Sequence, residues 1–243
     1  MSERTPLLGN TPTSNTNENA NARLLLACYA ITGFLDSSAV SLLGSFASMQ
    51  TGNTVYLGLG LAGLETTATS PSPRWIKAGI SIAGFCTGSF CFAQLHRRHS
   101  GQRGSLVSLS FLLQTVCLIL AACILQTHAV QHDTKNDTSW QLYVSLALVS
   151  FQSAGQAVLS RVLECTSLTS VVLTSIYCDL FMNLPGLNHL QQGRRAGAII
   201  SLLLGTVLGG IFVRSGGSFL TVLWVVSMIK VCIAVIILCI NRA

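Results

Sequence analysis

Long apolar segments with almost no charge constrain this chain more than any other feature. Eight such segments lie at about residues 24–44, 45–64, 76–96, 105–126, 140–160, 168–184, 196–213 and 219–240. Only 9% of the 243 residues are charged, whereas an average soluble domain has about 25%. A water-soluble fold of this size could not cover its surface with so few charges. The composition excludes an ordinary soluble enzyme and predicts a polytopic membrane protein.

Six of the segments are apolar enough throughout to cross a bilayer, and two are not. A crossing takes about 20 helical residues, because the hydrocarbon core is about 30 Å thick. The segment at 45–64 opens with a polar run at residues 45–53, and the segment at 168–184 carries several hydroxyl residues and Asp179. Backbone that breaks inside a membrane is tolerated only where it is buried or lines a cavity. We predict an all-α transmembrane bundle over residues 23–243, with about six spans and two broken or re-entrant helices.

The distribution of basic residues also bears on the topology. With two re-entrant segments, nine basic residues lie on the side of the N terminus: Arg4, Arg23, Arg97, Arg98, Arg103, Arg161, Arg194, Arg195 and Arg242. Four lie on the other side: Arg74, Lys77, Lys135 and Arg214. With eight crossings, five basic residues would lie inside and eight outside. The positive-inside rule therefore favours six spans with a cytoplasmic N terminus, and eight spans remain the alternative.

Two short motifs agree with the six-span topology. Residues 1–22 are rich in Asn, Thr, Ser and Pro, which predicts a disordered cytoplasmic tail. Within it, Glu3, Leu7 and Leu8 resemble an acidic dileucine sorting signal, which cytosolic adaptor proteins read. Asn136 begins an N-glycosylation sequon, which requires a lumenal or extracellular face. Together they require an odd number of crossings between them, and they predict an endomembrane, vacuolar or plasma-membrane location.

The two halves of the chain, at about residues 24–126 and 140–240, repeat the same order of features. Residues 33–37 (Gly-Phe-Leu-Asp-Ser) lie inside the first span, and residues 150–154 (Ser-Phe-Gln-Ser-Ala) lie similarly inside the fourth. Each is followed by a broken segment and two further spans. Three crossings in each half would relate the halves by inverted topology, as in many secondary transporters. We therefore predict an internal two-fold repeat.

The motifs in these halves resemble a known family. Gly-Phe-Leu-Asp at residues 33–36 precedes Met-Gln-Thr-Gly-Asn-Thr-Val at residues 49–55, and Gln-Ser at residues 152–153 precedes Leu-Thr-Ser at residues 173–175 and Asp179. This pattern resembles the YoaK-like family of polytopic membrane proteins. Gln50 is an insertion relative to the family motif, and Ser153 stands where the family has Asn. The resemblance covers about residues 24–240 and implies the fold and the membrane location. The family is a domain of unknown function, so it implies no activity.

Three charged residues inside the apolar segments are the main candidates for a functional site: Asp36, Asp179 and Lys230. A charge at mid-membrane costs about 2.5–3.5 kcal/mol on insertion scales, so each should face the bundle interior. For Asp36, a proton or cation site and a structural acid that binds the broken backbone are both open. Lys230 is too deep to snorkel, so we predict a buried ion pair, with Asp179 favoured over Asp36. A shallower position of Lys230 is the alternative.

The polar residues of the broken segments are further candidates. Backbone N–H groups at a half-helix N terminus suit anions, and unwound carbonyl groups suit cations. The candidates for substrate lining or coupling are Thr51, Gly52, Asn53 and Thr54 in the first half and Gln152, Thr174 and Ser175 in the second. Packing by small residues is the alternative interpretation, and it is favoured for the pairs Gly84/Gly88 and Gly205/Gly209.

The sequence contains no recognisable catalytic, dinucleotide-binding or metal-binding motif. We therefore expect no enzymatic activity, no cofactor, no metal and no nucleic-acid partner. We expect a transporter of a small solute or ion, with the lipid bilayer and a sorting adaptor as its other partners. The alternative is a non-transporting scaffold or trafficking partner. Transport predicts water access to Asp36, whereas a scaffold predicts a dry acid with all its hydrogen bonds satisfied.

Overall fold

A computed structural model of the chain describes residues 12–64, 73–98, 103–131, 140–163, 173–182 and 189–242. They form eight helices: α1 (Pro12–Leu43), α2 (Gln50–Leu61), α3 (Arg74–Arg98), α4 (Arg103–Gln131), α5 (Trp140–Val162), α6 (Leu173–Met182), α7 (His189–Arg214) and α8 (Phe219–Arg242). Within these ranges the chain has no β-strand. The predicted all-α bundle is therefore confirmed.

Six of the helices are long and apolar enough to cross a membrane: α1, α3, α4, α5, α7 and α8. The other two are much shorter, with 12 residues in α2 and 10 in α6. These lengths correspond to about 18 and 15 Å, well short of a hydrocarbon core about 30 Å thick. The division into six long helices and two short ones is the one that the sequence predicts.

The short helix α2 ends at the same face of the bundle as α1. The chain leaves α1 at Gly44, whose φ of 80° is in the left-handed region that glycine adopts easily. Gly44 lies against the side chain of Arg74, and Gly60 near the end of α2 lies against Trp75. The end of α1, the end of α2 and the start of α3 therefore share one face, which we call the α2 face. The segment at 45–64 is re-entrant, as predicted.

The short helix α6 lies at the opposite face, which we call the α6 face. Its Ile176 is buried in a cluster with Leu25 and Tyr29 of α1 and with Ala198 from the first half of α7. Leu163, which follows α5, packs against the same cluster. The end of α5, the helix α6 and the start of α7 are therefore close together, and α6 does not cross the bundle.

The long helices pair across the two halves of the chain: α1 with α7, α3 with α5, and α4 with α8. Gly205 contacts Ala30 and Gly209 contacts Phe34, so α1 and α7 run parallel. In α3 and α5, Gly84 contacts Ala147 and Gly88 contacts Phe151, so these helices are also parallel. Both glycine pairs thus pack helix against helix, which was the favoured interpretation.

The helices α4 and α8 run antiparallel. Ser108 near the start of α4 donates a hydrogen bond to the carbonyl of Ala234, whereas Gln114 further along α4 bonds to the earlier residue Lys230. If α2 and α6 both crossed the membrane, α4 would be the fourth span and α8 the eighth, and the two would run parallel. The observed orientation fits six spans and contradicts eight.

The pattern of helix pairs is unchanged when the two halves are exchanged. The pair α1 and α7 then becomes α5 and α3, with Phe34 replaced by Phe151 and Ala30 by Ala147 in the matching glycine contacts. This correspondence places residues 33–37 opposite residues 150–154, as in the sequence comparison of the two halves. The pairing therefore supports an internal repeat with inverted topology.

The helix α1 begins at Pro12, within the segment that we predicted to be a disordered tail. Proline is favourable in the first turn of a helix. Ala22 is buried, and Asn19 accepts a hydrogen bond of 2.8 Å from Nη2 of Arg194. These tertiary contacts extend the helix beyond its apolar part, and the boundary predicted at residue 22 is therefore corrected. Glu3, Leu7, Leu8 and Asn136 lie outside the described residues.

Candidate functional site

Asp36 binds the turn that leads from α1 into α2. Its Oδ1 accepts hydrogen bonds from the backbone N–H groups of Ala47, at 2.7 Å, and Ser48, at 2.8 Å. Its Oδ2 accepts a hydrogen bond of 2.5 Å from the hydroxyl of Ser48. Asp36 is only 1% exposed. Both carboxylate oxygens are occupied by donors of the same chain, so this geometry favours the structural acid over a water-accessible site.

Asn53 binds the same turn from within α2. Its Oδ1 accepts hydrogen bonds of 3.0 Å from the hydroxyl of Ser45 and from the N–H of Phe46. Its Nδ2 donates to the carbonyl of Phe46 at 2.8 Å, to Gln50 Oε1 at 2.9 Å and to Ser81 Oγ at 2.9 Å. Asn53 is fully buried. Its amide is therefore occupied by protein groups.

Ser81 connects this network to the long helices. Its hydroxyl donates to the carbonyl of Phe46 at 2.7 Å and lies 2.8 Å from the hydroxyl of Ser150 on α5. Because the Ser81 hydrogen points to Phe46, Ser150 is the donor between the two serines. We call the residues Asp36, Ser45, Ser48, Asn53 and Ser81 the α2 latch. The α2 latch ties α2 to α1, α3 and α5.

Lys230 lies in the centre of the bundle, as the twelfth residue of the 24-residue helix α8. Its side chain is fully buried. The Nζ atom donates hydrogen bonds to Gln114 Oε1 at 2.6 Å, Gln152 Oε1 at 2.6 Å and Gln156 Oε1 at 3.0 Å. We call these three side chains the glutamine cage. Hydrogen bonds to a charged group contribute about 1.5–3 kcal/mol each, which offsets the cost of burying the ammonium.

The ion pair predicted between Lys230 and Asp179 is not formed. The carboxylate of Asp179 lies 3.5 Å from Nη2 of Arg195 at the α6 face, and its side chain is 49% exposed. Asp36, the other predicted partner, binds the turn at residues 47–48. The physical reason is that α6 lies at the edge of the bundle, so its acid does not reach the depth of Lys230. Neutral carboxamides supply the oxygen atoms instead.

The other candidates of the broken segments lie at the surface of the bundle. Thr51, Thr54 and Thr174 are exposed, Gly52 is half-buried against the ring of Phe46, and Ser175 is half-buried. The hydroxyl of Thr54 bonds locally to the carbonyl of Gln50 at 2.8 Å. The structure therefore does not bring the threonines together with Lys230. Of the polar lining candidates, Gln152 takes part in the glutamine cage, and it lies in the long helix α5.

Sequence reasoning missed two members of the glutamine cage, Gln114 and Gln156. Both are amides in the middle of apolar helices, where an uncharged polar side chain is also costly. Their position in the middle of apolar helices indicates a buried polar site, but a search restricted to charged residues does not find them. Within the described ranges, no cluster of three or more His, Cys, Asp or Glu could hold a metal ion. The polar atoms that meet at the centre are carboxamides, hydroxyls and one ammonium group.

The bundle that carries the α2 latch and the glutamine cage matches a family described as Protein of unknown function (DUF1275), over residues 24–236. The chain belongs to this family. The match spans α1 to α8 and agrees with the expected membership of a membrane family without an assigned function, while the YoaK-like name stays a prediction. Searches of the curated proteins and of the solved structures give no match.

Proposed function

We propose that this member of the DUF1275 family is a multi-pass membrane transporter for a small solute or ion. The observation that carries the proposal is the ammonium group of Lys230, buried in the middle of α8 and bound by glutamines of α4 and α5. An ionisable residue within a membrane is costly to insert and marks a functional site by default. Lys230 and Gln114 lie where helices of the two halves meet, and this is where inverted-repeat transporters place their substrate.

The inequality of the two short helices also supports transport. The α2 latch holds α2 by buried hydrogen bonds, whereas the described contacts of α6 include the buried side chain of Ile176 and the partly exposed pair of Arg195 and Asp179. Alternating access requires that one face of a transporter is closed while the other is looser. The buried hydrogen bonds of the α2 latch suit a closed face, and the partly exposed ion pair of Arg195 and Asp179 suits a face that opens.

Asp36 favours a second candidate function, a membrane scaffold or trafficking partner. Transport through the first broken segment predicts water access at this acid, whereas its carboxylate is buried and both of its oxygen atoms accept hydrogen bonds from the turn. In a scaffold, the α2 latch would only lock helices together. With either function we propose a cytoplasmic N terminus and an endomembrane, vacuolar or plasma-membrane location. We also propose a sorting adaptor at Glu3, Leu7 and Leu8, and no catalytic activity.

Uptake into reconstituted vesicles, measured over a panel of radiolabelled organic acids, amino acids and inorganic ions, tests the transporter. We expect one class of solute to accumulate, and Lys230→Gln to lower its rate by about tenfold or more, which corresponds to about 1.4 kcal/mol. Arg214→Gln is the matched control, because it removes an exposed basic charge at the end of α7 and leaves the centre intact. If the folded protein moves nothing on the panel and Lys230→Gln alters only expression, the scaffold replaces the transporter.

Glycosylation mapping tests the proposed orientation. We expect glycan addition at Asn136 and at sequons introduced near Arg214, because both would face the lumen or the exterior. A sequon introduced near Arg194 should stay unmodified. Modification near Arg194 would contradict the cytoplasmic placement of the α6 face and of the N terminus.

A further inference from the structure

The oxygen atoms around Lys230 form a site that suits a cation and that is built independently of the lysine. We infer that Gln114, Gln152 and Gln156 form a binding site for a primary ammonium ion. In the native protein, Lys230 fills this site with its own side chain, and a free alkylammonium ion fills it when that side chain is removed. This inference holds whether or not the protein transports a solute.

The orientation of Gln156 is fixed by a partner other than Lys230. Its Nε2 donates to the backbone carbonyl of Cys28 at 2.7 Å and to the hydroxyl of Thr32 at 3.0 Å. A carbonyl oxygen can only accept a hydrogen bond, so the amide nitrogen must face Cys28. The Oε1 atom of Gln156 is therefore turned toward the centre by α1.

Gln152 is oriented in the same way. Its Nε2 donates to the hydroxyl of Ser153 at 2.9 Å, and that hydroxyl gives its own hydrogen to the carbonyl of Val149, also at 2.9 Å. Ser153 can therefore only accept from Gln152. The third member, Gln114, donates from Nε2 to the hydroxyl of Ser110 at 3.2 Å. The oxygen atoms of Gln152 and Gln156 are thus turned inward by contacts that survive the loss of the lysine side chain, and Gln114 keeps its bond to Ser110.

The number of oxygen atoms matches a protonated primary amine. An alkylammonium group has three N–H donors, and the glutamine cage offers three acceptors at 2.6–3.0 Å. A neutral amine has two donors and a lone pair, which would face one glutamine oxygen unfavourably. A tetraalkylammonium ion has no donor at all. The chemical class that fits is therefore a primary ammonium ion, bound by neutral oxygen dipoles.

The size of the free ligand follows from the lysine side chain. Replacing Lys230 by alanine removes Cγ, Cδ, Cε and Nζ, and these atoms correspond to n-propylammonium. The surrounding side chains come from α4 and α5, so a free ion bound there joins two spans, and Lys230 joins α8 to them as a third. Lys230 thus serves as a tethered ion that links α8 to the first and second halves of the bundle.

The inference is tested by thermal unfolding of the purified full-length protein in detergent. We expect Lys230→Ala to lower the midpoint temperature, and n-propylammonium chloride to raise it again by about 3–6 °C at ten times its dissociation constant. Tetramethylammonium and sodium chloride at equal ionic strength should have no such effect. The wild-type protein should not respond to n-propylammonium, because Lys230 already occupies the site. A response that is equal for all three salts would overturn the inference.

A second variant covers the case in which Lys230→Ala gives no folded protein even when n-propylammonium is present throughout purification. Lys230→Met has a side chain of similar length but no donor, so it leaves the three glutamine oxygens without a partner. We expect its midpoint temperature to lie well below that of the wild type, and Gln152→Leu to bring the Met variant back toward it by removing one unpaired oxygen. If Lys230→Met is as stable as the wild type, the cage does not need a cation and the inference fails.

Discussion

The two short helices have equivalent places in the two halves of the chain, but the structure binds them in different ways. The α2 latch surrounds the start of α2 with buried hydrogen bonds to α1, α3 and α5. In α6, Ile176 is buried, but Phe181 and Met182 are about four-fifths exposed, at 81% and 80%. The ion pair of Arg195 and Asp179 lies partly in the open. Each short helix thus buries one residue, but α2 buries the hydrogen-bonded amide of Asn53 and α6 buries the apolar side chain of Ile176.

The residues of the long helices next to each short helix explain the difference. Ser81 and Ser150 bond to each other next to α2. The equivalent positions in the other half of the repeat are Leu202 and Gly33, which contact each other. Leucine and glycine have no side-chain donor or acceptor. At these two positions α1 and α7 therefore offer α6 no side-chain hydrogen bond, and the polar contacts of α6 include the pair of Arg195 and Asp179 instead. Two short helices at equivalent places of the repeat can therefore be held with different strength.

The largest effect that distinguishes the two regions is expected for Asp36→Ala. It leaves three donors of the turn at residues 47–48 without their acceptor, and each unsatisfied buried group costs about 1–3 kcal/mol. We expect the free energy of unfolding in mixed micelles to fall by about 3–5 kcal/mol. Ser153→Ala, at the equivalent position of the second half, should cost less than half as much. Equal losses would remove the asymmetry between the halves.

A smaller loss is expected for Asn53→Leu, which keeps the branched shape of the side chain but removes its amide. Neighbouring hydroxyls can take over part of the bonding, so we expect a loss of about 2–3 kcal/mol. Hydrogen exchange at the backbone amides of residues 45–54 should accelerate at the same time. The neighbouring exposed variant Thr54→Val is the control and should leave exchange unchanged. If Asn53→Leu leaves it unchanged as well, the α2 latch does not hold the turn.

The glycine contacts of the long helices should be alike in the two halves. An added Cβ at Gly88 would meet the backbone of Phe151, and one at Gly209 would meet Phe34 and Ser37. We expect Gly88→Ala and Gly209→Ala each to lower the free energy of unfolding by about 1–3 kcal/mol. Gly210 faces open space, so Gly210→Ala is the matched control and should be neutral or slightly stabilising. If the losses for Gly88→Ala and Gly209→Ala differ greatly, the packing of the long helices also differs between the two halves.

The smallest effect is expected at α6. Asp179→Asn weakens a partly exposed ion pair, and such pairs contribute about 0–1 kcal/mol. We expect the loss of stability to stay within this range and to shrink further as salt is added. Chemical unfolding at low and high ionic strength measures both. A loss as large as that of Asp36→Ala would show that α6 is anchored as firmly as α2.

Much of the fold could be predicted from the sequence, because hydropathy and helix length are local properties. The six spans, the two short helices and the packing role of the glycines all followed from apolar patterns and spacing. The partner of Lys230 did not, because the depth that Asp179 reaches depends on how α6 packs. The choice between a proton site and a structural role for Asp36 also required the contacts of residues 47–48. These contacts join positions 11 and 12 residues apart, and no pattern of residue types encodes them.

The pairing of α1 with α7 and of α3 with α5 has a consequence for how such a chain could arise. Within one half alone, α1 and α3 have no parallel helix to pack against, because their parallel neighbours α7 and α5 belong to the other half. A polypeptide of half this length could bury the packing faces of α1 and α3 only against a second copy that is inserted into the membrane in the opposite orientation. An ancestral gene for one half would therefore have had to encode a protein that enters the bilayer in both orientations. Fusion of two such genes would then have fixed one copy in each direction.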